Sequence, residues 1–157
     1  MTGSKISKRY AKALLSLGQE DGNYAAYGEN LKEFAELCAN NPEFRKVIGN
    51  PVFSVDDRKK VLNAVLEKSS FADYVKNFLR LLLDQNRIGG IGDVSADYTR
   101  LTDEISNIIR ADIITARPLK GEAMDKLDAV LAKITSKTVK TSVEEDESLI
   151  GGLVVKI

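Results

Sequence analysis

The segment from residue 71 to residue 91, FADYVKNFLRLLLDQNRIGGI, has more apolar surface than a single helix contact can bury. Its spacing is that of an α-helix, in which successive residues are about 100° apart. The apolar side chains then cover roughly 200° of the helix, whereas a helix with one buried side needs about 100°. They are Phe71, Tyr74, Val75, Phe78, Leu79, Leu81, Leu82 and Leu83. The pattern therefore predicts two contacts for this helix, one inside its own bundle and one with further protein.

The first helix, predicted over residues 4–18, has a similar excess of apolar surface. One face carries Ile6, Tyr10, Ala13, Leu14 and Leu17, while Ala11 and Leu15 lie toward the opposite side. Four basic side chains occupy the remainder: Lys5, Lys8, Arg9 and Lys12. Two interpretations fit this pattern. The helix lies between two neighbours in the bundle, or one of its faces binds a partner.

The first 108 residues contain several short helices with recognisable ends. Asn41 and Pro42 predict a helix start, with Asn as N-cap and Pro at the first helical position. Capping boxes are predicted at two further starts, Ser54 with Asp57 and Ser70 with Asp73. The end of the central helix is predicted at Arg87, Gly89 and Gly90. With further helices predicted at 22–39 and 91–108, we expect a six-helix bundle over residues 1–108.

The hydrophobic pattern changes in residues 109–157. Short β-type runs at 111–116, 139–143 and 153–157 surround a helical pattern at 121–135. We therefore expect a small strand–helix–strand–strand region after the bundle. The predicted fold class is mainly α, with an N-terminal six-helix bundle and a small α/β C-terminal region.

Composition excludes several classes of function. The chain of 157 residues has 23 basic and 23 acidic side chains, which argues against a dedicated nucleic-acid binder. It has no histidine and one cysteine, Cys38, which we expect to be buried on the apolar side of a helix. The usual ligands for zinc, haem and iron–sulfur sites are therefore lacking, and an internal disulfide is impossible. A reducing compartment is the simpler expectation.

No sequence motif indicates an active site or a cofactor. The glycines at 89, 90 and 92 follow a helix and lack the GK[ST] of a phosphate loop, so a turn between helices is expected. The acidic run at 144–147 lacks the spacing of a calcium loop and is interpreted as a solvated turn. No nucleophile with a matching base can be assembled. These observations favour a helical interaction module without catalytic residues, cofactor or metal.

Five stretches resemble one known family. They are RYAKAL at 9–14, the Asn41-Pro42 helix start, NFLRLLLDQNRI at 77–88, ITARPL at 114–119 and DESLIGGLVVKI at 146–157. In this order and spacing they resemble the bacterial ATP synthase delta subunit, which is related to the mitochondrial oligomycin-sensitivity-conferring protein. The resemblance covers nearly the whole chain. It implies a non-catalytic stator subunit that links the catalytic head to the peripheral stalk of the proton-driven enzyme.

The resemblance also implies the partners and the binding residues. In the family, the first and fifth helices form a groove for the N-terminal helix of an alpha subunit, and the C-terminal region meets the stalk b subunits. By this resemblance the candidate groove residues are Tyr10, Ala13, Leu14, Leu17, Phe78 and Leu82. The implied location is the cytoplasmic face of the bacterial plasma membrane, as a peripheral part of the complex.

Two alternatives concern the ends and surfaces of the chain. Residues 1–19 are amphipathic and basic, as in an organelle transit peptide, but the resemblance places RYAKAL in the mature first helix. The family usually continues past the last strand with a turn and a helix, so we expect the C-terminal region to be incomplete.

A rival function is binding of an anionic surface, lipid or nucleic acid, through the basic face of the first helix.

Overall fold

Helices account for most of the chain. The structure is a computed structural model that describes residues 4–156. The helices before residue 106 are α1 Lys5–Glu20, α2 Tyr24–Asn40, α3 Pro42–Gly49, α4 Val55–Lys68, α5 Asp73–Asp84 and α6 Ile91–Ile105, with a 3-10 turn at Ile88–Gly90 before α6. The rest contains β1 Ile108–Thr115, α7 Gly121–Thr135, β2 Thr138–Glu145 and β3 Leu153–Lys156. The fold is thus mainly helical with one small sheet.

The chain divides into two compact units, Met1–Thr102 and Asp103–Ile157. The boundary predicted after residue 108 does not coincide with this division. Ile108 is already the first residue of β1, so that boundary falls inside a strand.

The helical unit is held together by one apolar core. It comprises Ala11, Leu14, Leu15, Tyr27, Leu31, Phe34, Cys38, Ile48, Leu62, Leu66, Phe71, Val75, Phe78, Leu79, Leu82, Leu83, Ile88, Ile91, Val94, Tyr98 and Leu101. Helix α5 supplies a large share of it, in agreement with the wide apolar arc of its sequence. Cys38 is a buried free thiol, as predicted, and burial raises its pKa to about 11.

Some predicted helix ends are confirmed and others are wrong. Ser54 caps α4 as predicted: its Oγ accepts from the Asp57 N–H at 3.1 Å and donates to the Asp57 carboxylate at 2.7 Å. The box predicted at Ser70 is wrong, because α5 begins at Asp73 with Ala72 as N-cap. Pro42 opens α3, but the Asn41 side chain makes no cap.

The end of α5 differs from the prediction as well. Asn86, with φ of 54°, ends the helix, and the glycine pair lies beyond it in the 3-10 turn. The Arg87 N–H donates to the Leu82 carbonyl at 2.7 Å, and the Asn86 N–H donates to the Leu83 carbonyl at 2.9 Å. This is a Schellman motif, in which asparagine takes the left-handed position that glycine more often fills.

The second unit is the predicted strand–helix–strand–strand arrangement, in which β1 and β2 are longer than predicted. The sheet order is β2-β1-β3, so β1 is the central strand. Helix α7 connects β1 to the parallel strand β2, and β3 runs antiparallel to β1. Ala111, Ile113 and Leu131 are buried in this unit. The acidic run is only partly a turn, because Glu144 and Glu145 end β2.

None of the helices formed by residues 4–156 is both long and apolar enough to span a membrane.

Candidate partner-binding groove

Tyr10 of α1 and Phe78 of α5 bring these two helices into contact, and the helices run in opposite directions. At mid-length the rings of Tyr10 and Phe78 meet in an edge-to-face arrangement, with centroids 6.3 Å apart. The end of α1 lies near the start of α5, because Tyr27 donates to the Asp21 carboxylate and its ring lies 6.2 Å from that of Tyr74. The start of α1 and the residues after α5 line a common cavity of about 320 Å³.

Helix α1 has two apolar rows, and only one is in the core. Ser4 caps the helix by accepting from the Ser7 N–H at 3.1 Å, which sets where the first turn begins. The buried row is Ser7, Ala11, Leu14, Leu15 and Gly18. The second row, Ile6, Tyr10, Ala13 and Leu17, has the 4-3-4 spacing of one helix face. Ile6 is 41% exposed and Leu17 is 42% exposed, and Tyr10 is half-buried between them.

Helix α5 presents a matching row on its side of the pair. Tyr74 is 53% exposed and Leu81 is 47% exposed, and Phe78 is largely buried between them. We call the surface formed by Ile6, Tyr10, Ala13 and Leu17 of α1 and Tyr74, Phe78 and Leu81 of α5 the α1–α5 groove. Within this surface the rings of Tyr10 and Phe78 are in contact, and Ile6, Leu17, Tyr74 and Leu81 are its exposed members.

The structure separates the six predicted groove residues into two sets. Tyr10, Ala13 and Leu17 lie on the α1–α5 groove with exposed or partly exposed side chains, and Phe78, a core residue that is 8% exposed, contacts Tyr10 there. Leu14 and Leu82 are core residues with no appreciable exposed surface, so we leave them out of the proposed binding surface. Both lie near the centre of an apolar arc, and the centre of the arc is what the core buries.

Three groove residues were not among the predicted six: Ile6, Tyr74 and Leu81. The sequence contained a signal for each. Ile6 shares the helical face of Tyr10, and Tyr74 and Leu81 lie at the edge of the wide arc of α5. The edges of such an arc are the positions left uncovered when its centre is buried.

Polar contacts fix α1 against the rest of the helical unit. The Ser7 hydroxyl donates to the buried Asp97 carboxylate at 2.7 Å, which joins α1 to α6. The other oxygen of Asp97 accepts from Arg100 at 3.0 Å. One wall of the groove is therefore held by a buried hydrogen bond to a charged group, a type stronger than a neutral one.

A second polar contact lies where α1 ends. Burial and the hydrogen bond to Asp21 raise the pKa of Tyr27 to about 12. The same hydrogen bond, with one from the Asn23 backbone, lowers the pKa of Asp21. Tyr98 adds a link from α6 to α2, because its hydroxyl donates to the Tyr24 carbonyl at 2.8 Å.

Nothing in these contacts is arranged for bond-making chemistry. The described residues contain no group of three or more Cys, Asp and Glu side chains that could hold a metal ion. The groove itself is formed by aliphatic and aromatic side chains. A helical unit with exposed apolar side chains on two contacting helices is typical of a protein-interaction module.

The chain belongs to the ATP synthase delta (OSCP) subunit family, whose model matches residues 6–157. Curated relatives are ATP synthase delta subunits. That of Desulfatibacillum aliphaticivorans is 38% identical over 157 residues, which are 100% of this chain and 86% of the relative. Those of Desulforapulum autotrophicum and Geobacter metallireducens are 39% and 36% identical over all of this chain, covering 86% and 87% of their own length.

A solved structure has the same fold. A chain in the cryo-EM structure of the Toxoplasma gondii mitochondrial ATP synthase hexamer matches with a TM-score of 0.73 at 18% sequence identity. The match covers 96% of this chain and 85% of that one. Family membership makes this chain a structural, non-catalytic subunit of the ATP synthase peripheral stalk. The alternative of an anionic-surface binder receives no support from the comparisons.

Proposed function

We propose that the α1–α5 groove binds the N-terminal helix of an ATP synthase alpha subunit and thereby ties the catalytic head to the peripheral stalk. The observation that carries this proposal is the pair of antiparallel helices with exposed apolar side chains on both sides of the Tyr10–Phe78 contact. A third helix laid along this groove would cover both rows at once. Such a helix-in-groove contact obtains its affinity from apolar burial and its orientation from the groove.

The mechanical task explains why such a surface is suitable. The rotor exerts torque on the catalytic head, so a stator link has to resist sliding and twisting. Fully burying an exposed leucine or isoleucine is worth about 1.5–3 kcal/mol, and the groove offers Ile6, Leu17 and Leu81 for this. Side chains that interdigitate on two walls also oppose rotation of the bound helix.

The two units have different roles in this proposal. Helices α1–α6 together form the alpha-subunit-binding bundle, and the second unit faces the stalk b subunits. That unit also leaves large apolar side chains exposed, among them Val130, Ile134, Leu153 and Val154. Because the relatives are bacterial delta subunits, we place the chain at the cytoplasmic face of the plasma membrane, held there through the complex.

Calorimetric titration tests the groove directly. The full chain is titrated with a peptide of the alpha-subunit N-terminus from Desulfatibacillum aliphaticivorans, whose delta subunit is 38% identical. We expect saturable binding that Leu81→Asp weakens about tenfold or more, since it puts a charge on the apolar wall. Val61→Asp is the matched control, because Val61 is an exposed apolar residue of α4 outside the groove. A folded chain that gives no heat at high micromolar peptide would overturn the proposal.

A further inference from the structure

The charged side chains along the α1–α5 groove differ in sign between its two ends. At the end where α1 begins, Lys5 and Arg9 lie one position before Ile6 and Tyr10 and border the apolar row. Arg87, just after α5, lies at the same end and lines the cavity there with Ile6 and Tyr10. We call Lys5, Arg9 and Arg87 the basic end.

The opposite end is acidic. Glu20 is the last residue of α1, and Asp73 is the first residue of α5. Asp21 follows Glu20, and its carboxylate accepts from the Tyr27 hydroxyl and from the Asn23 N–H. Because α1 and α5 are antiparallel, these three carboxylates lie at one end of the groove. We call Glu20, Asp21 and Asp73 the acidic end.

The charges at the two ends are largely free to meet a partner. In the described part of the chain, Lys5, Arg9, Arg87, Glu20 and Asp73 make no salt bridge and no side-chain hydrogen bond. Two carboxylates near the basic end offset its positive charge only in part. Asp84 is already paired with Lys59, Nζ to Oδ1 at 2.8 Å, and Asp93 lines the same cavity as Arg87.

We propose that this charge distribution fixes the direction of the bound helix, an inference that rests on the proposed function of the groove. The occupant is an amphipathic helix with one apolar stripe and charges of opposite sign in its two halves. Its acidic half lies beside Lys5, Arg9 and Arg87, and its basic half lies beside Glu20 and Asp73. The apolar rows alone would accept the helix in either direction, whereas charge complementarity favours one and penalises the other.

Direction is measurable with a synthetic peptide of defined charge order. The peptide has the length of α1, 16 residues, with leucines at helical spacing, glutamates in its first half and lysines in its second. A nitroxide is attached to one end or the other, and broadening of the amide signals of the full chain is recorded by NMR. We expect a label on the glutamate half of the peptide to broaden the signals of Ile6 and Tyr10, at the basic end of the groove. A label on the lysine half should broaden those of Leu17 and Tyr74, at the acidic end. Equal broadening of both regions from either label would overturn the inference.

Charge reversal supplies the second measurement. Arg9→Glu is expected to weaken binding of this peptide roughly threefold to tenfold at low ionic strength, and less at high salt. Lys8→Glu is the matched control: it makes the same charge change on the same helix, but on the side away from the Ile6–Leu17 row. Similar effects of the two variants would also contradict the inference.

The outcomes separate this inference from the proposed function. If the alpha-subunit peptide binds but the synthetic peptide shows no preferred direction, only the inference fails. If the alpha-subunit peptide does not bind at all, the proposed function fails and the inference with it.

Discussion

Asn86 accepts a hydrogen bond from the buried side chain of Arg58, with Nη2 and Oδ1 2.7 Å apart. The Arg58 Nη1 donates to the Ile48 carbonyl at 3.3 Å, and its buried Nε has no partner in the described residues. Arg58 lies in α4, while Asn86 is the positive-φ residue that ends α5. Asn86 therefore both ends α5 and provides a hydrogen-bond acceptor for the buried guanidinium of Arg58.

The first prediction separates these two roles of Asn86. Asn86→Gly keeps the positive φ but removes the acceptor, and leaving Arg58 less satisfied should cost about 1–3 kcal/mol of unfolding free energy. Asn86→Ala should cost about 1 kcal/mol more, because alanine is strained at this φ. Urea denaturation measures both. Equal stability of the two variants would contradict the role of the backbone conformation.

The second prediction distinguishes neighbouring residues of α5. Leu82→Ala should lower the unfolding free energy by about 2–5 kcal/mol, because Leu82 is fully buried. Leu81→Ala should cost less than about 1 kcal/mol but should weaken binding of the alpha-subunit peptide. Thermal unfolding and calorimetric titration, run on both variants, check the two halves of the prediction. A stability loss at Leu81 as large as that at Leu82 would remove Leu81 from the groove.

The third prediction concerns the close approach of α1 and α2. A Cβ on Gly18 would lie 2.7 Å from the Tyr24 Cα, and backbone there cannot move aside cheaply. Gly18→Ala should therefore destabilise the chain by about 1–3 kcal/mol. Gly92→Ala in α6 is the control, since nothing lies within 4 Å of its Cβ position. That variant should be neutral or slightly more stable, because alanine has the higher helix propensity.

The fourth prediction concerns the wall formed by α1. Ser7→Ala removes the donor to the buried Asp97 carboxylate and should cost about 1–3 kcal/mol. Because this contact holds α1 on α6, the variant should also bind the alpha-subunit peptide more weakly. Ser16→Ala, on the exposed side of α1, is the control. Unchanged affinity in a destabilised Ser7 variant would show that the groove does not depend on this contact.

The fifth prediction is a pH dependence. The pKa of Tyr27 is raised from 10.0 to about 12, so the folded state holds this proton more tightly than the unfolded state does. The resulting stabilisation is fully present below pH 10 and is lost as the pH rises through about 12. The stability difference between the unaltered chain and Tyr27→Phe should shrink over that range. A difference that stays constant from pH 10 to pH 12 would refute the assignment.

Much of the fold is predictable from the sequence because hydrophobic period and length report local structure. The helical pattern of 121–135 and the alternation of 139–143 both appear at the predicted places. The misplaced ends have a common cause: several residue types can end or begin a helix. Asn86 ends α5 before the glycine pair that was expected to end it, and Ala72 rather than Ser70 is the N-cap residue.

The presence of exposed apolar side chains on α1 and α5 was predictable from the sequence, but not which side chains they are. An apolar arc that is too wide indicates that something further is bound, but only tertiary packing decides which part of the arc the core takes. Leu82 and Leu81 are adjacent and chemically identical, yet one is fully buried and the other is 47% exposed. The burial of Arg58 had no signal, because a charged residue in a polar segment is usually exposed.

The central position of β1 has a consequence for synthesis. Its two neighbours, β2 and β3, both follow it in the chain, and β3 pairs with it only from residue 153 onward. While the nascent chain is still leaving the ribosome, β1 exposes unpaired backbone along one side until residues 153–156 emerge. By then every segment of the helical unit has already been released. Until then the uncovered edge of β1 is open to mispairing with another chain.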